Sequence, residues 1–455
     1  MYDVRSATDE IASEVRALLP QMVSDLSALV RIPSVATEGF PAEPLFEAHD
    51  LLVGWLEGLG ADHIDRLEIE GKTAPVIIAR FDGPVGAPTV LFYTHYDVVP
   101  AGESEAWETP PFEPVERDGA IYGRGTADSK ANIVSILAAL RVLDGRLPVT
   151  VKVVFEGQEE FGSPFDFYPP KDPERFASDA MVIADVGSVR PGVPTLTVAL
   201  RGSASIAVEL RTLAADKHSG NYGGAAPDAR LALLHAIASL HDAAGDVAVE
   251  GLRREPWTGA TYTDEEFRTL AEVVDGVPFQ GTGDLGSRLW SGPAITLIGF
   301  DAPPVEAPMN AVAGYARALL NVRVHPEQSA AEAQAAVVRH LQAQRPFGQR
   351  LTVTPGEVGD GFAAGVDGPA ADGAKAALGA AWGQETQMMA SGGSIPLVMA
   401  LDAAVPKAEK LLFGATDGYS NIHGPNERVL IDELERTTVA KALFLHEFAA
   451  RWVGR

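Results

Sequence analysis

Apolar positions recur at helical spacing between residues 7 and 31, where Ile11, Val15, Leu18, Leu19, Met22, Leu26 and Leu29 share one face. This predicts an amphipathic helix, and a second is predicted from Phe46 to Leu59. The pattern then turns from periodic to continuous. Residues 74–80 and 88–93 are short apolar runs with little polar alternation, as in strands covered on both faces. A helix is predicted from Ala131 to Leu143, and residues 149–155 and 180–184 repeat the buried-strand pattern. Strands alternating with helices in this way predict an α/β layered domain.

Near Thr195 the texture changes. Leu196 to Leu210 alternates apolar with polar positions, which suits a half-exposed antiparallel sheet. A helix from about Ala229 to His241, strands near 294–298, 316–324 and 350–354, and a helix from about Ala330 to Gln344 complete this block; residues 242–290 read as a polar loop region. The α/β texture returns over Gly368 to Trp382 and Leu411 to Asn426, and the chain closes with a helix from Ile431 to Trp452. The expected organisation is an α/β domain formed by residues 1–196 and 358–455, interrupted by a smaller α+β domain over residues 197–357.

Composition narrows the chemistry. A chain of 455 residues exceeds one ordinary core, which agrees with two domains. With 46% hydrophobic and 22% charged residues it has a globular composition. The formal net charge of -26 disfavours nucleic acid and anionic membrane surfaces as partners. There is no cysteine, so thiolate metal sites and cysteine nucleophiles are excluded, and any metal must be held by His, Asp and Glu. The segment Met1-Tyr2-Asp3-Val4-Arg5 lacks the basic and apolar stretches of a signal peptide, and no run of about 18 apolar residues occurs; the expected location is cytoplasmic.

Five segments place acidic residues or histidines beside apolar runs: Thr94-His95-Tyr96-Asp97, Gly125-Thr126-Ala127-Asp128, Glu156-Gly157-Gln158-Glu159-Glu160, Ile183-Ala184-Asp185 and Asn421-Ile422-His423. Three of them follow predicted strands, where open α/β sheets place ligand sites. Asp128 falls near a predicted helix start, where an N-cap role would also suit it. Three glutamates at one strand end repel each other unless cations or protons offset them.

The set resembles the co-catalytic metallopeptidase family that includes aminoacylase, carnosinase-type dipeptidases, succinyl-diaminopimelate desuccinylase and the bacterial glutamate carboxypeptidase. The resemblance runs from Leu29-Val30-Arg31-Ile32-Pro33-Ser34 to the Asn426-Glu427 pair. It implies an aminopeptidase-like catalytic domain, a mixed sheet flanked by helices, with an inserted lid that also forms a homodimer. By that resemblance His95 and Asp185 bind one metal ion, Glu160 and His423 bind the other, and Asp128 bridges them. Asp97 orients its neighbouring histidine, and Glu159 is the general base toward a water shared by both ions. Glu156 has no assigned role and is read as structural. Zinc is the expected metal, two ions per chain, with manganese or cobalt as alternatives.

Substrate elements follow from the same resemblance. His218 in Lys217-His218-Ser219-Gly220 matches an oxyanion stabiliser that reaches across a dimer interface. Arg323 matches a residue holding the substrate carboxylate, and Gly393 and Ser394 lie in a glycine-rich turn that approaches the substrate. The expected reaction is hydrolysis of an amide bond next to a free carboxylate in a small peptide, a dipeptide foremost. Deacylation or desuccinylation of N-acyl amino acids and glutamate-type carboxypeptidase action are the alternatives. From a different class, the chain could be a non-catalytic metal- or peptide-binding homologue.

Overall fold

In the computed structural model, residues 4–69, 74–393 and 395–452 are described, and the chain divides into two compact units. The first comprises the described residues up to Val198, Ala364–Met389 and those from Leu397 onward. The second comprises Ala199–Ala363 with the described residues of Ala390–Pro396.

The first unit is built on a mixed sheet. Its strands lie in the order His63–Leu67, Val76–Phe81, Thr150–Glu156, Thr89–His95, Ala180–Ile183 and Glu409–Leu412, with Thr197 facing Leu412 beyond them. The strands from Thr150–Glu156 to Glu409–Leu412 run parallel, and His63–Leu67 and Val76–Phe81 pair antiparallel at one edge. Parallel neighbours need crossovers that lay helices over the sheet, so the apolar runs are buried on both faces. Val90, Phe92, Val151, Val153, Phe155 and Val182 are all inaccessible or nearly so. The Ala131–Val142 helix packs between the Val4–Val30 and Ile431–Arg451 helices, with only Arg141 outside the buried set along its length. Phe444 meets Phe413 and Phe448 in the same core.

The fold class read from the sequence is present: a central mixed sheet flanked by helices. Several short or edge strands were not predicted, His63–Leu67 among them. His63–Leu67 is an edge strand whose sequence, His-Ile-Asp-Arg-Leu, is largely exposed and carries little apolar signal.

The second unit holds a four-stranded antiparallel sheet in the order Ala294–Phe300, Tyr315–Val324, Gly202–Arg211 and Thr352–Gly359. Burial alternates strictly from Gly202 to Leu210, as expected when one face meets a core. Ile206, Val208, Leu320 and Val322 form that core with Leu233 and Val337 of the Ala229–Ala238 and Ala330–Ala343 helices. The polar stretch 242–290 contains two short helices, Asp264–Leu270 and Leu285–Leu289. The first starts with a capping box between Thr263 and Glu266, a spacing legible in Thr-Asp-Glu-Glu. Among the described residues no helix is long and apolar enough to cross a membrane.

Candidate metal centre

The parallel strands of the first unit bring their carboxyl ends to one place, and the candidate residues sit there. His95 ends the Thr89–His95 strand, Glu159 and Glu160 follow Thr150–Glu156, and Asp185 follows Ala180–Ile183. Asp128 lies at the centre. Its Oδ1 is 3.0 Å from His95 Nε2 and its Oδ2 is 3.2 Å from His423 Nε2. Asp185 Oδ1 lies 3.2 Å from His95 Nε2, and Glu160 Oε2 lies 3.0 Å from His423 Nε2. Each histidine thus faces Asp128 and one further carboxylate.

Asp97 holds the adjacent layer. Its backbone oxygen is 3.0 Å from His95 Nδ1, while Oδ1 and Oδ2 accept the backbone N–H groups of Glu159 at 2.9 Å and Glu160 at 3.1 Å. Engaging Nδ1 turns Nε2 of His95 toward Asp128 and Asp185. Glu156 stands apart from this cluster. It is fully buried and accepts from Tyr93 Oη at 2.7 Å and from Ser163 Oγ, which agrees with the structural reading.

Asp128 does not cap a helix. Its φ of -116° and ψ of 90° place it in a tight turn ahead of Ala131, and Gly125 enters that turn at φ +83°. A Cβ on Gly125 would come within 2.5 Å of Val98 Cγ1, so glycine is required there on both counts.

The electrostatics are those of a site short of positive charge. Burial alone would lower the His95 pKa, but the charge of Asp185 and the bonds to Asp128, Asp185 and Asp97 outweigh it and raise it well above the usual range. His423 is pushed up to about 10 by its bonds to Asp128 and Glu160, against burial. Burial raises Glu159, with the charge of Asp185 adding to it; Glu160 and Asp185 are also raised by burial. Burial would raise Asp128 too, but the two histidines hold it low. Divalent cations would relieve the same repulsion.

The donors suit such ions. Ligand atoms of His95, Asp128 and Glu160 lie within 4.8 Å of one another, as do those of His95, Glu159 and Asp185. Glu160 Oε1 is buried and finds no hydrogen-bond partner among the described residues, an arrangement a coordinated cation would satisfy. All donors are carboxylate or imidazole, compatible with zinc, manganese or cobalt. A third group, Glu255, His325 and Glu327, is different in kind. Arg253 already pairs with both of its carboxylates, and His325 Nδ1 accepts the Glu327 N–H.

The remaining candidates belong to the second unit. His218 is exposed at the end of a two-residue strand paired with Ala311. Arg323 is half-buried on Tyr315–Val324, and among the described residues no carboxylate pairs with its guanidinium. Arg201 lies beneath it, with Nη1 and Nη2 donating to the carbonyls of Leu289 and Gly292 at 2.7 and 2.6 Å. Burial, with the Arg323 charge adding to it, lowers the Arg201 pKa to about 10. Gly393 donates its N–H to Ser391 Oγ at 3.3 Å, and Ser394 lies outside the described residues. Sequence reasoning gave no role to Arg201, Arg124 or Glu427; each stands beside a glycine or an asparagine, and only Glu427 falls in a segment singled out from the sequence, the Asn426-Glu427 pair.

A sequence model of peptidase family M20/M25/M40 matches residues 91–447. The chain is 40% identical over 434 residues to a cysteinylglycine-S-conjugate dipeptidase from Corynebacterium striatum, covering 93% of this chain and 95% of that one. It is 28% identical over 398 residues to the human beta-Ala-His dipeptidase, covering 82% of this chain and 77% of the relative. The solved structure of the di-peptidase Dug1p from Saccharomyces cerevisiae has the same fold, with a TM-score of 0.80 at 22% identity over 97% of this chain and 98% of that one.

Proposed function

Since the chain belongs to peptidase family M20/M25/M40, we propose that it is a metal-dependent dipeptidase whose reacting centre is the cluster around Asp128. One observation carries the assignment of ligands: the two oxygens of the Asp128 carboxylate face two different histidines, each completed by its own second carboxylate. On this reading His95 and Asp185 would hold one cation and Glu160 and His423 the other, with Asp128 available to both. Zinc is the first choice, because three nitrogen and oxygen donors from the protein would leave each ion one position for water, as four-coordinate zinc prefers. Two such ions, when bound, polarise the scissile carbonyl and make water acidic enough to attack at neutral pH.

The chain's own residues supply the rest. Glu159 lies among the ligand atoms without being needed as one, and burial raises its affinity for a proton. It accepts the proton of the attacking water on its carboxylate and returns it to the leaving amine. Asp97 fixes both His95 and the backbone that presents Glu159. Arg323, which no carboxylate among the described residues pairs with and which lies beside the buried Arg201, receives the substrate's terminal carboxylate. His218 stabilises the oxyanion, and the Gly393 turn borders the substrate.

A homodimer through the second unit completes the reading. The Ala294–Phe300 strand is a sheet edge with Leu297 and Ile298 exposed, and Leu319 is exposed on the neighbouring strand. An apolar edge of this kind calls for a partner. The dipeptidase names of the curated relatives favour dipeptides over N-acyl amino acids as substrates. Zinc-loaded protein offered both classes should cleave Cys-Gly-type and β-alanyl dipeptides; cleavage of the acylated set alone would overturn the assignment.

A further inference from the structure

Glu427 is fully buried next to the centre, and no part of the proposed reaction uses it. Its Oε1 accepts the backbone N–H groups of Ala127 at 2.9 Å and Asp128 at 3.0 Å. Its Oε2 accepts the Gly125 N–H at 3.0 Å and Arg124 Nη1 at 2.7 Å. Three amides of one turn therefore converge on a single carboxylate, an anion cradle filled by the protein's own side chain. Asp128 and Ser129 depart from helical φ/ψ within Thr126–Lys130, and Glu427 is the acceptor that these three amides find among the described residues.

The same group reaches the other side of the centre. Arg124 is buried, and its second terminal nitrogen, Nη2, donates to the backbone carbonyl of His423 at 3.1 Å. Glu427 follows His423 by four positions, and its own carbonyl accepts the Gly123 N–H at 2.9 Å. His423 needs this support. Its side chain is 55% exposed, and its backbone adopts a left-handed φ of +62° between Asn421 at +52° and Asn426 at +58°. Neither sheet nor helix fixes that loop. His95 and Asp185, by contrast, sit at or just beyond the ends of parallel strands, and Asp97 also fixes His95.

We propose that Glu427 is a positioning residue that sets the distance between Asp128 and His423, and so governs binding of the cation assigned to Glu160 and His423 more than the one assigned to His95 and Asp185. The inference rests on the metal-centre reading above. Outer-layer partners of ligands typically contribute about 10- to 100-fold in metal affinity or activity. In E427Q the amide can still accept from Ala127 and Asp128, but its NH₂ meets the Gly125 N–H and Arg124, donor against donor. Because this leaves the Arg124 guanidinium without a counter-charge, the double variant R124M/E427Q is measured beside it.

The experiment titrates zinc into chelator-stripped full-length protein by calorimetry, with thermal melts of the stripped and loaded forms and steady-state kinetics. Wild type should bind two ions. Both variants should bind one ion with wild-type affinity and the other about 10- to 100-fold more weakly. The melting-temperature gain on adding zinc should shrink more than the stripped protein's own melting temperature falls, and kcat should drop with KM nearly unchanged. A role confined to folding would lower the stripped protein's melting temperature and leave both binding steps intact, which overturns the proposal. If E427Q does not fold, the double variant decides on the same criteria. Failure of wild type to take up two ions would refute the metal-centre reading itself, a result distinct from wild type binding two and E427Q binding both equally well.

Discussion

Asp97 Oδ1 accepts the backbone N–H of Glu159 at 2.9 Å, so the residue that touches His95 also fixes the segment carrying the proposed base. Its second oxygen takes the Glu160 N–H at 3.1 Å. Asp97→Asn preserves shape but turns one acceptor into a donor facing a buried N–H. The expected result is a fall in kcat/KM of about 10- to 100-fold, with weaker zinc retention on dialysis. Unchanged kinetics would show that the two backbone bonds are dispensable.

Glu159→Ala separates base from ligand. If Glu159 moves the proton, turnover should fall about 10²- to 10⁴-fold while elemental analysis still finds the wild-type metal content. Loss of metal in parallel with activity would reassign Glu159 as a ligand, a role its proximity to His95 and Asp185 would permit.

Stripping the metals should destabilise the first unit. Carboxylates of Asp128, Glu159, Glu160 and Asp185 crowd two histidines, and cations bound only to the folded state add stability by mass action. At a free-ion concentration 100 times the dissociation constant, each site contributes about 2.7 kcal/mol. Melting curves with and without chelator should differ accordingly, and excess zinc should restore the higher transition.

Much of this site could be read from the chain because its ligands terminate apolar runs. Parallel strands are buried on both faces, so Val90-Leu91-Phe92-Tyr93 and Met181-Val182-Ile183 stand out, and their carboxyl ends mark where ligands gather. Local pattern does not reach further. Tyr93 and Ser163 meet at Glu156, and Glu427 meets the Gly125–Asp128 turn some 300 positions away, through side-chain bonds that leave no periodic trace. The Asp128 turn resembled a helix start because the helix does begin nearby, at Ala131, after a turn that glycine makes possible. The polar stretch was read as loop, although Thr263 and Glu266 form a capping box and Asp284 caps the Leu285–Leu289 helix.

Gly125→Ala probes that turn. The residue sits at φ +83° with a β-carbon position 2.5 Å from Val98 Cγ1, so alanine combines backbone strain with a clash. A left-handed non-glycine residue costs about 1–3 kcal/mol before the clash is counted. Because the Gly125 N–H also bonds Glu427, activity should fall further than the loss of stability alone explains. Denaturant melts alongside kcat, taken well below the melting temperature, would test this.

Lys441 offers a pH test away from the metal centre. It is fully buried on the Ile431–Arg451 helix, and its Nζ donates to Ser135 Oγ and the Asn132 oxygens, with no carboxylate bonded to it among the described residues. Burial holds its pKa well below the usual lysine range, whereas in the unfolded chain it titrates near ~10.4. Between the folded and unfolded values the unfolded state binds the extra proton. This lysine therefore lowers stability at neutral pH, and the penalty shrinks as pH rises toward the unfolded value. Over the steep part of the window the slope approaches about 1.4 kcal/mol per pH unit. Lys441→Met should remove that slope: its unfolding free energy, measured in urea from pH 7 to 10, should rise less with pH than wild type's. Parallel curves would mean that Lys441 keeps its proton in the folded core, with Asn132 and Ser135 solvating the charge.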